Sequence, residues 1–436
     1  MESERIKDLN NLLKPALGEN VEIVDKTITN LTQPGENYFS DMLRLQVTTR
    51  NKDTNATKTE HFVAKCCIVD ESLPKEFSMA SRHMFKPEIT FYNEIIPTMQ
   101  KFAKEHGLKK VDFFAKLIAA RYNLDGKEEP DQNAILLLEN LQVAGYSNED
   151  RHKGFDFDGA KLLLTDLATF HAIPLAIKLK DPDLFKKVFL DNCPGPPTFM
   201  DKSNDKGPGH GPGHGPGHGP GNGPEDHGPP MVPRILLKQI LKGDNFCRKY
   251  VDKLDAILDA DEEKFKKGNM FDKPDPNKTV FSGVVHKDMW LNNTMQKKNE
   301  DGKMIKNKFV DFQVYSVQDI TLDLFFFLIT SVEVVVLEEH FDYLLMFYHE
   351  HFIKALESLK CDVAPFTYTE FIKNLKQNAT LEFQHIILMT TTVIFGKKGE
   401  KTDFYQMKNV TVNTIHPIAR RKFVFLFKTL VQKEWI

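Results

Sequence analysis

Apolar and polar positions alternate in two ways over the first 140 residues. Leucines about one helical turn apart predict a helix over residues 1–18. The runs "YFSDMLRLQVTT" and "TEHFVAKCCIV" alternate as half-buried strands do, and "RNKDTNAT" between them is a polar turn. A third apolar run at 133–141 predicts a further strand, preceded by a helical segment interrupted by Pro87 and Pro97. The pattern predicts a small antiparallel sheet with helices.

Farther along, the apolar positions follow helical spacing almost to the last residue. The exception is 281–313, which alternates like strands around a turn at 299–302. We therefore predict an α+β, bilobal protein with a small antiparallel-sheet lobe and a larger, mainly helical lobe. The predicted boundaries are 1–138 for the sheet lobe, 139–146 for a hinge and 147–436 for the helical lobe.

A low-complexity insertion at about 201–230 contains "GPGHGPGHGPGHGPGNGP" at 207–224. Its period of four excludes collagen, and its prolines oppose both helix and sheet, so we expect a disordered linker. His210, His214 and His218 also suggest a metal site. A chelate would have to order a flexible chain, at an entropic cost, so the linker is the favoured interpretation and metal binding stays open.

The composition excludes several functional classes. A net charge of −3 provides no overall basic field for nucleic acid or an anionic membrane. Five scattered cysteines without a CxxC motif favour a reducing compartment, and the charged N-terminus is unlike a secretory signal. The apolar run at 324–337 contains Glu333 and is too short to span a bilayer, so it predicts a buried helix. We expect a cytoplasmic protein without a membrane span.

The stretch "VVHKDMWLNNTM" at 284–295 carries the strongest chemical signal. An apolar strand runs into His286, Asp288 and Asn293, in the spacing H-x-D-x-x-x-x-N, and Asp311 follows after a predicted hairpin. Phosphoryl transfer needs these groups: an Asp to accept a hydroxyl proton, and an Asn with a second carboxylate to hold Mg²⁺. We predict Asp288 as the base, Asn293 and Asp311 as metal ligands, and His286 as a structural hydrogen-bonding residue. The alternative for Asp288 is an ordinary surface turn.

Partners for a nucleotide lie upstream in the expected order. Lys65 is flanked by apolar residues in a strand, where a charge requires a partner, and Glu88 is the predicted partner, with Glu94 as the alternative. A hairpin tip before Lys65 has one glycine and cannot form a G-x-G-x-x-G loop, yet its backbone could cover phosphates. The predicted phosphate contacts there are Gly35, Asn37, Tyr38 and Ser40, and main-chain groups from Glu139 to Leu141 are predicted to meet an adenine.

Together these motifs resemble the ecdysteroid kinase-like family, the arthropod and nematode branch of the choline kinase and aminoglycoside phosphotransferase group. The resemblance covers most of the chain, and its most specific features are Trp290 with Asn292 and Asn293, and Gln313 after Asp311-Phe312. It implies a protein-kinase-like fold and ATP-dependent phosphorylation of a small-molecule hydroxyl, with ecdysteroids as namesake substrates. The motifs are "PGENYFSDMLRL", "FVAK", "EITFYNEIIP", "LLLENL", "LATFHA", "HKDMWLNNTM", "FVDFQ" and "TLDLFFFL".

The resemblance also implies roles for individual residues. Lys65 would bind phosphates and Glu88 would anchor it, Asp288 would be the base, Asn293 and Asp311 would bind Mg²⁺, and Asp323 would support the loop. One departure is Lys287, at a position that is commonly glycine in the wider group.

The spacing further distinguishes a small-molecule kinase from a protein kinase. Only 11 residues separate Asp311 from Asp323, too few for an activation segment, and Gln313 replaces the glycine of D-F-G. Nine phenylalanines in the following helices would suit an apolar acceptor, although a packed core is the favoured explanation for each of them. We therefore expect an ATP- and Mg²⁺-dependent kinase for a steroid or other lipophilic alcohol. The alternatives are a kinase for choline-like cations or xenobiotic alcohols, and a scaffold without turnover.

Overall fold

The computed structural model describes most of the chain. The Gly-Pro-His tract and the predicted phosphate contacts Gly35, Asn37 and Tyr38 lie outside the described residues, so the predictions made for them stay predictions. The described ranges are 5–31, 40–68, 75–108, 111–194, 232–266, 274–396 and 411–436.

A five-stranded sheet forms the N-terminal part, after helix α1 (Leu9–Leu17). The strands are β1 (Val21–Asn30), β2 (Ser40–Asn51), β3 (Thr57–Cys67), β4 (Leu117–Arg121) and β5 (Ile135–Glu139). Their order is β1-β2-β3-β5-β4, and every neighbouring pair is antiparallel. The antiparallel sheet predicted from the alternating runs is thus present.

Strand β3 shows how the alternation of side chains places a charge inside the protein. Phe62 and Ala64 pack with α1 in a small apolar core on one face of the sheet. Lys65 and Cys67 point to the opposite face, because successive side chains on a strand alternate, and Cys67 joins the larger core there. Lys65 consequently faces the interior of the protein rather than solvent.

Two strands had no clear signal in the sequence. Strand β1 is an edge strand that is mostly exposed, so it lacks the apolar alternation of a half-buried strand. Strand β4 has only five residues, all of them partly exposed. The prediction of three strands was therefore incomplete, because both edge strands form by pairing with stronger neighbours.

Between β3 and β4, the chain is helical without a break over residues 75–106. Helix α2 (Lys75–Thr90) continues through a π-helical turn (Phe91–Ile95) into α3 (Ile96–His106). The predicted interruption at Pro87 was wrong: Pro87 lies inside α2, and Pro97 lies in the first turn of α3, where proline is well tolerated. Burial of apolar residues on both sides of Pro87 compensates for the backbone hydrogen bond that a proline cannot donate.

Two small sheets follow, and they carry the motif-bearing turns. A three-stranded sheet contains β6 (Tyr146–Ser147), β8 (Thr294–Lys298) and β9 (Met304–Phe309), and a two-stranded sheet pairs β7 (Ser282–Val285) with β10 (Ser316–Asp319). The predicted strands over 281–313 are confirmed, including the turn before Gly302, whose φ of 77° suits glycine. Strand β10 was not predicted.

Helices make up most of the remaining structure, packed around α4 and α9. They are α4 (Phe157–Lys180), α5 (Pro182–Phe185), α6 (Arg234–Lys242), α7 (Asp252–Lys266), α8 (Thr321–Ser331), α9 (Val334–Ser358), α10 (Tyr368–Asn378), α11 (Phe383–Leu388) and α12 (Pro417–Gln432). By length and composition α4 could cross a membrane, yet 67% of its apolar window is buried inside the protein, as is usual for a core helix. The protein is thus a mixed α and β structure with antiparallel sheets and many helices.

The single buried helix predicted over 324–337 is in fact two helices. The chain is extended at Val332, between α8 and α9. Phe155 explains the break: its N–H donates to the Ser331 carbonyl, and its carbonyl accepts from the Glu333 N–H. The apolar run alone could not reveal this competing partner, which lies some 180 residues earlier.

Candidate active site

The motif 286–293 begins where β7 ends. Val285 and His286 are fully buried, and Lys287 then adopts a left-handed backbone with φ of 69°. This conformation is unfavourable for a residue with a side chain, which explains why glycine suits the position. The turn brings Asp288 out of the core to a half-buried position directly after a buried strand.

His286 connects two chain segments through its ring. Nε2 lies 3.0 Å from the Val310 carbonyl and therefore donates to it, while Nδ1 accepts from the Asp288 N–H at 3.3 Å. The ring thus fixes both the backbone before Asp311 and the backbone of Asp288. His286 lies where a structural hydrogen-bonding residue was predicted.

Asp288 is held by Asn293 across the turn. The Asn293 amide nitrogen donates to the Asp288 carbonyl and to its carboxylate Oδ2, both at 2.8 Å. Burial and the charge of Asp311 raise the pKa of Asp288, while His385, His286 and the Asn293 hydrogen bond oppose the rise. A carboxylate with a raised pKa is a better proton acceptor than an ordinary one.

Lys65 lies between two carboxylates that come from distant parts of the chain. Its Nζ is 2.6 Å from Glu88 Oε2 and 2.8 Å from Asp311 Oδ1, and Lys65 and Glu88 are almost fully buried. Burial lowers the pKa of Lys65, but Asp311 and Glu88 outweigh it and raise the pKa above its ordinary value. Burial raises the pKa of Glu88, and Lys65 opposes this rise. Glu94, the alternative partner, is exposed.

The segment after β9 places Asp311 and fixes Phe312 in the core. Asp311 has φ of 69°, and Phe312 is fully buried, stacked on Phe91 at 4.1 Å between ring centroids. Phe91 lies three residues after Glu88, at the start of the π-helical turn. The stacking therefore packs the helical segment that carries Glu88 against the turn that carries Asp311. Gln313 Oε1 adds a 3.4 Å contact to Lys65 Nζ, and this contact was not predicted.

The two turns meet through the backbone. The Val310 N–H donates to the Asn293 carbonyl at 3.0 Å, so Asp311 follows directly after a residue bonded to Asn293. This contact continues the pairing of β8 with β9, in which Thr294 lies opposite Phe309. The structure therefore brings together Lys65, Glu88, Asp288, Asn293 and Asp311.

The oxygen atoms of Asn293 and Asp311 fit a magnesium ion that arrives with phosphates. Mg²⁺ prefers oxygen ligands and commonly takes one or two protein carboxylates together with substrate phosphates. The Asn293 nitrogen is used on Asp288, so its side-chain oxygen is the atom available for a cation. Among the described residues no group of three or more His, Cys, Asp or Glu could hold a metal alone.

Asp323 supports the turn that carries Asp288, and its contact with His171, which in turn contacts Tyr348, was not predicted. Its carboxylate accepts from the backbone N–H groups of His286 at 2.5 Å and Lys287 at 2.9 Å. His171, fully buried on α4, lies 3.3 Å from the same carboxylate and 2.6 Å from the Tyr348 hydroxyl. His171 lies in the motif "LATFHA" but was given no role, and no local pattern marks Tyr348, which is an ordinary position on an apolar helix.

The remaining predicted nucleotide contacts are less informative. Ser40 is the first residue of β2 and is largely buried opposite Cys67. The Glu139 N–H donates to the Lys116 carbonyl, and the Leu141 carbonyl accepts from Tyr146, so these two main-chain groups already have protein partners. The adenine contact predicted for this segment stays a prediction.

A second unpredicted group lies beside Asp288. The Lys287 ammonium is 3.1 Å from Glu382 Oε1, and His385 Nδ1 is 2.9 Å from Glu382 Oε2. Glu382 and His385 lie about 95 residues after the motif, so no spacing rule connects them with it.

The phenylalanines of the later helices fill the core instead of lining a cleft. Phe347 is only partly buried, and the other eight considered in the sequence are fully or almost fully buried. These eight are Phe325, Phe326, Phe327, Phe341, Phe352, Phe366, Phe371 and Phe383.

Comparison with known proteins gives one finding. The model of the ecdysteroid kinase-like family matches residues 34–204 and 237–361, about two thirds of the chain, including every residue of the Lys65, Glu88, Asp288, Asn293 and Asp311 set. No curated protein matches the chain.

Proposed function

The chain belongs to the ecdysteroid kinase-like family, a family of small-molecule kinases, and from this premise we propose an ATP- and Mg²⁺-dependent kinase that phosphorylates a hydroxyl of a steroid or other lipophilic alcohol. The observation that carries the proposal is the position of Lys65 between Glu88 and Asp311. Asp311 is itself close to the Asp288–Asn293 pair, because the backbone of the preceding residue, Val310, is hydrogen-bonded to Asn293. We also propose the bilobal arrangement, with 1–138 as the ATP-binding lobe, 139–146 as the hinge and 147–436 as the helical acceptor-binding lobe.

In this mechanism each side chain has one task. Lys65 binds the phosphates and is held in place by Glu88. Asn293 and Asp311 would hold Mg²⁺, which neutralises phosphate charge when bound. Asp288 accepts the proton of the acceptor hydroxyl while the oxygen of that hydroxyl forms a bond to the γ-phosphorus of ATP. The bond from the γ-phosphorus to ADP breaks, and ADP leaves.

The surroundings of Asp288 favour a neutral acceptor over a choline-like cation. A quaternary ammonium group is best bound by carboxylates or aromatic faces. Glu382, the carboxylate next to this turn, is buried and forms an ion pair with Lys287. Its charge is therefore already neutralised by the Lys287 ammonium group and is not available to bind a cationic acceptor. The same charge does not disfavour a steroid or a xenobiotic alcohol.

We propose a cytoplasmic location. All five cysteines have free thiols, which supports a reducing compartment. The near-neutral net charge supports the expectation that neither nucleic acid nor an anionic membrane surface is a partner.

Two assays test the proposed function. Thermal-shift titration should show stabilisation by ATP that increases with Mg²⁺, and Asp311→Asn should lose the increase, whereas Asp301→Asn in the exposed β8–β9 turn should keep it. ADP release with a panel of steroid alcohols, other lipophilic alcohols and choline should then identify the acceptor class. Stabilisation without metal dependence, and no ADP release with any alcohol, would favour the scaffold.

A further inference from the structure

Asn148 contacts the turn that carries Asn293, and the proposed mechanism does not use it. Its side-chain nitrogen Nδ2 donates to the Thr294 carbonyl at 2.8 Å and to the Asn292 carbonyl at 3.2 Å. Carbonyl oxygens only accept hydrogen bonds, so the amide nitrogen, which carries two hydrogens, must be the atom that faces them. Asn148 therefore binds the main chain on both sides of Asn293.

The pairing of two strands explains why Asn148 reaches this turn. Strand β6 ends at Ser147 and is antiparallel to β8. Asn148 follows directly, and its side chain continues the pairing toward Thr294, the first residue of β8. The next residue, Glu149, forms an ion pair with Lys298 at the other end of β8, at 2.7 Å. Contacts on both sides of Asn148 thus fix its position against β8.

Three consecutive main-chain carbonyls, centred on Asn293, accept hydrogen bonds. The two flanking carbonyls accept from Asn148, and the Asn293 carbonyl accepts from the Val310 N–H at 3.0 Å. The Asn293 side-chain nitrogen donates to the Asp288 carboxylate at 2.8 Å, so the side chain is held as well as the backbone. These contacts together fix the orientation of the Asn293 side-chain oxygen, the atom that would bind a magnesium ion.

We propose that Asn148 is a positioning residue for the metal ligand: by holding the main chain on both sides of Asn293, it keeps the Asn293 side-chain oxygen in place for Mg²⁺. This inference rests on the proposed function and extends the site to a residue about 140 positions before the H-x-D-x-x-x-x-N motif. Groups that orient a metal ligand typically contribute roughly 10- to 100-fold to metal affinity. Asn148 is exposed, so its replacement leaves the apolar core intact.

Nucleotide binding with and without metal tests the inference without requiring turnover. Isothermal calorimetry would measure the Kd of a non-hydrolysable ATP analogue in EDTA and in excess Mg²⁺, and the ratio of the two values is the metal-dependent gain in affinity. The variants are Asn148→Leu, which has a similar shape but no donor, and Asn148→Gln, which keeps the amide. The control is Asn192→Leu, because the Asn192 nitrogen also donates to two main-chain carbonyls, those of Lys187 and Val188 in a π-helical turn.

Asn148→Leu should lower the metal-dependent gain by about 10-fold. It should leave the Kd in EDTA unchanged, because Lys65 and Glu88 are untouched. Asn148→Gln should recover part of the gain, and Asn192→Leu should keep all of it.

An undiminished gain in Asn148→Leu, or an equal loss in Asn192→Leu, would overturn the inference and leave the kinase proposal standing. A wild-type protein that binds the analogue equally well with and without Mg²⁺ would overturn both.

Discussion

The phosphate side and the acceptor side of the site differ in burial and in where their residues come from. Lys65 and Glu88 are nearly inaccessible and belong to a strand and a helix of the N-terminal part. Lys287, Asp288 and His385 are partly exposed. A buried ion pair suits a nucleotide that is the same in every cycle, whereas an open edge suits selection among acceptors. In the proposed mechanism, the difference separates the groups that bind the phosphates from those that meet the acceptor.

The largest effect should come from removing the base. Asp288→Asn keeps the shape of the turn but cannot accept the acceptor proton, so kcat should fall by roughly 10² to 10⁴. Steady-state ADP release measures this, and the KM for ATP should change little because the phosphate side is intact. Asp301→Asn is the matched control, and an undiminished kcat in Asp288→Asn would contradict the role of base.

Removing the cation on the phosphate side should affect folding as well as activity. Lys65→Met leaves Glu88 buried without its partner, and losing one member of a buried pair costs about 3 kcal/mol. Denaturant unfolding at pH 8 measures the loss. Replacing Glu88 by Gln in the same variant should recover part of it, because the unpaired charge is then gone.

Lys58→Met, on the same strand but exposed, is the control and should change stability by less than about 1 kcal/mol. If Lys65→Met is as stable as this control, the buried pair does not contribute as proposed.

On the acceptor side, the contribution of the Glu382 ion pairs to the free energy of unfolding should depend on pH. The pKa of Glu382 is lowered from an ordinary 4.5 to about 2, so its stabilisation is present above about pH 4.5 and is lost as the pH falls toward 2. Between pH 5 and pH 3 the wild-type protein should lose about 2 kcal/mol more unfolding free energy than Glu382→Gln. Urea denaturation at several pH values measures this. Identical pH profiles would contradict it, and Glu370→Gln, at an exposed ion pair, is the control.

The smallest effect concerns the backbone of the turn. Lys287→Ala and Lys287→Gly both lose the contact with Glu382, but only glycine adopts φ of 69° without strain. Lys287→Gly should therefore be more stable than Lys287→Ala by about 1 kcal/mol. Thermal unfolding of the two variants measures the difference, and equal stability would show that the turn is not strained.

The two sides also differ in how far the sequence could predict them. His286, Asp288 and Asn293 lie within eight positions after a strand, so local spacing alone suggested their proximity. Lys65 was recognisable as a charge inside an apolar strand. Glu88 was the predicted partner, and only the exclusion of the alternative Glu94 needed the structure, because it depends on which face of the helical segment meets the sheet. The direct contact of Lys65 with Asp311 likewise depends on how β9 ends.

Glu382 and His385 could not be predicted, because a pair in a helical turn has no feature that points to a loop 95 residues earlier. The same limit applies to the fold. Strands β1 and β4 and the break at Val332 depend on tertiary partners, whereas β2, β3 and the β8–β9 hairpin follow from their own alternation of apolar residues. Alternating apolar and polar residues predicted these strands because one face of each strand is buried.

The single ring of His286 binds the backbones of both turns at once. Neither turn can be redesigned alone, because a backbone change in one turn would break a hydrogen bond of the imidazole that also holds the other turn. Attempts to graft this chemistry onto another scaffold would have to transplant residues 285–293 and 309–313 together, with the histidine between them as one inseparable unit.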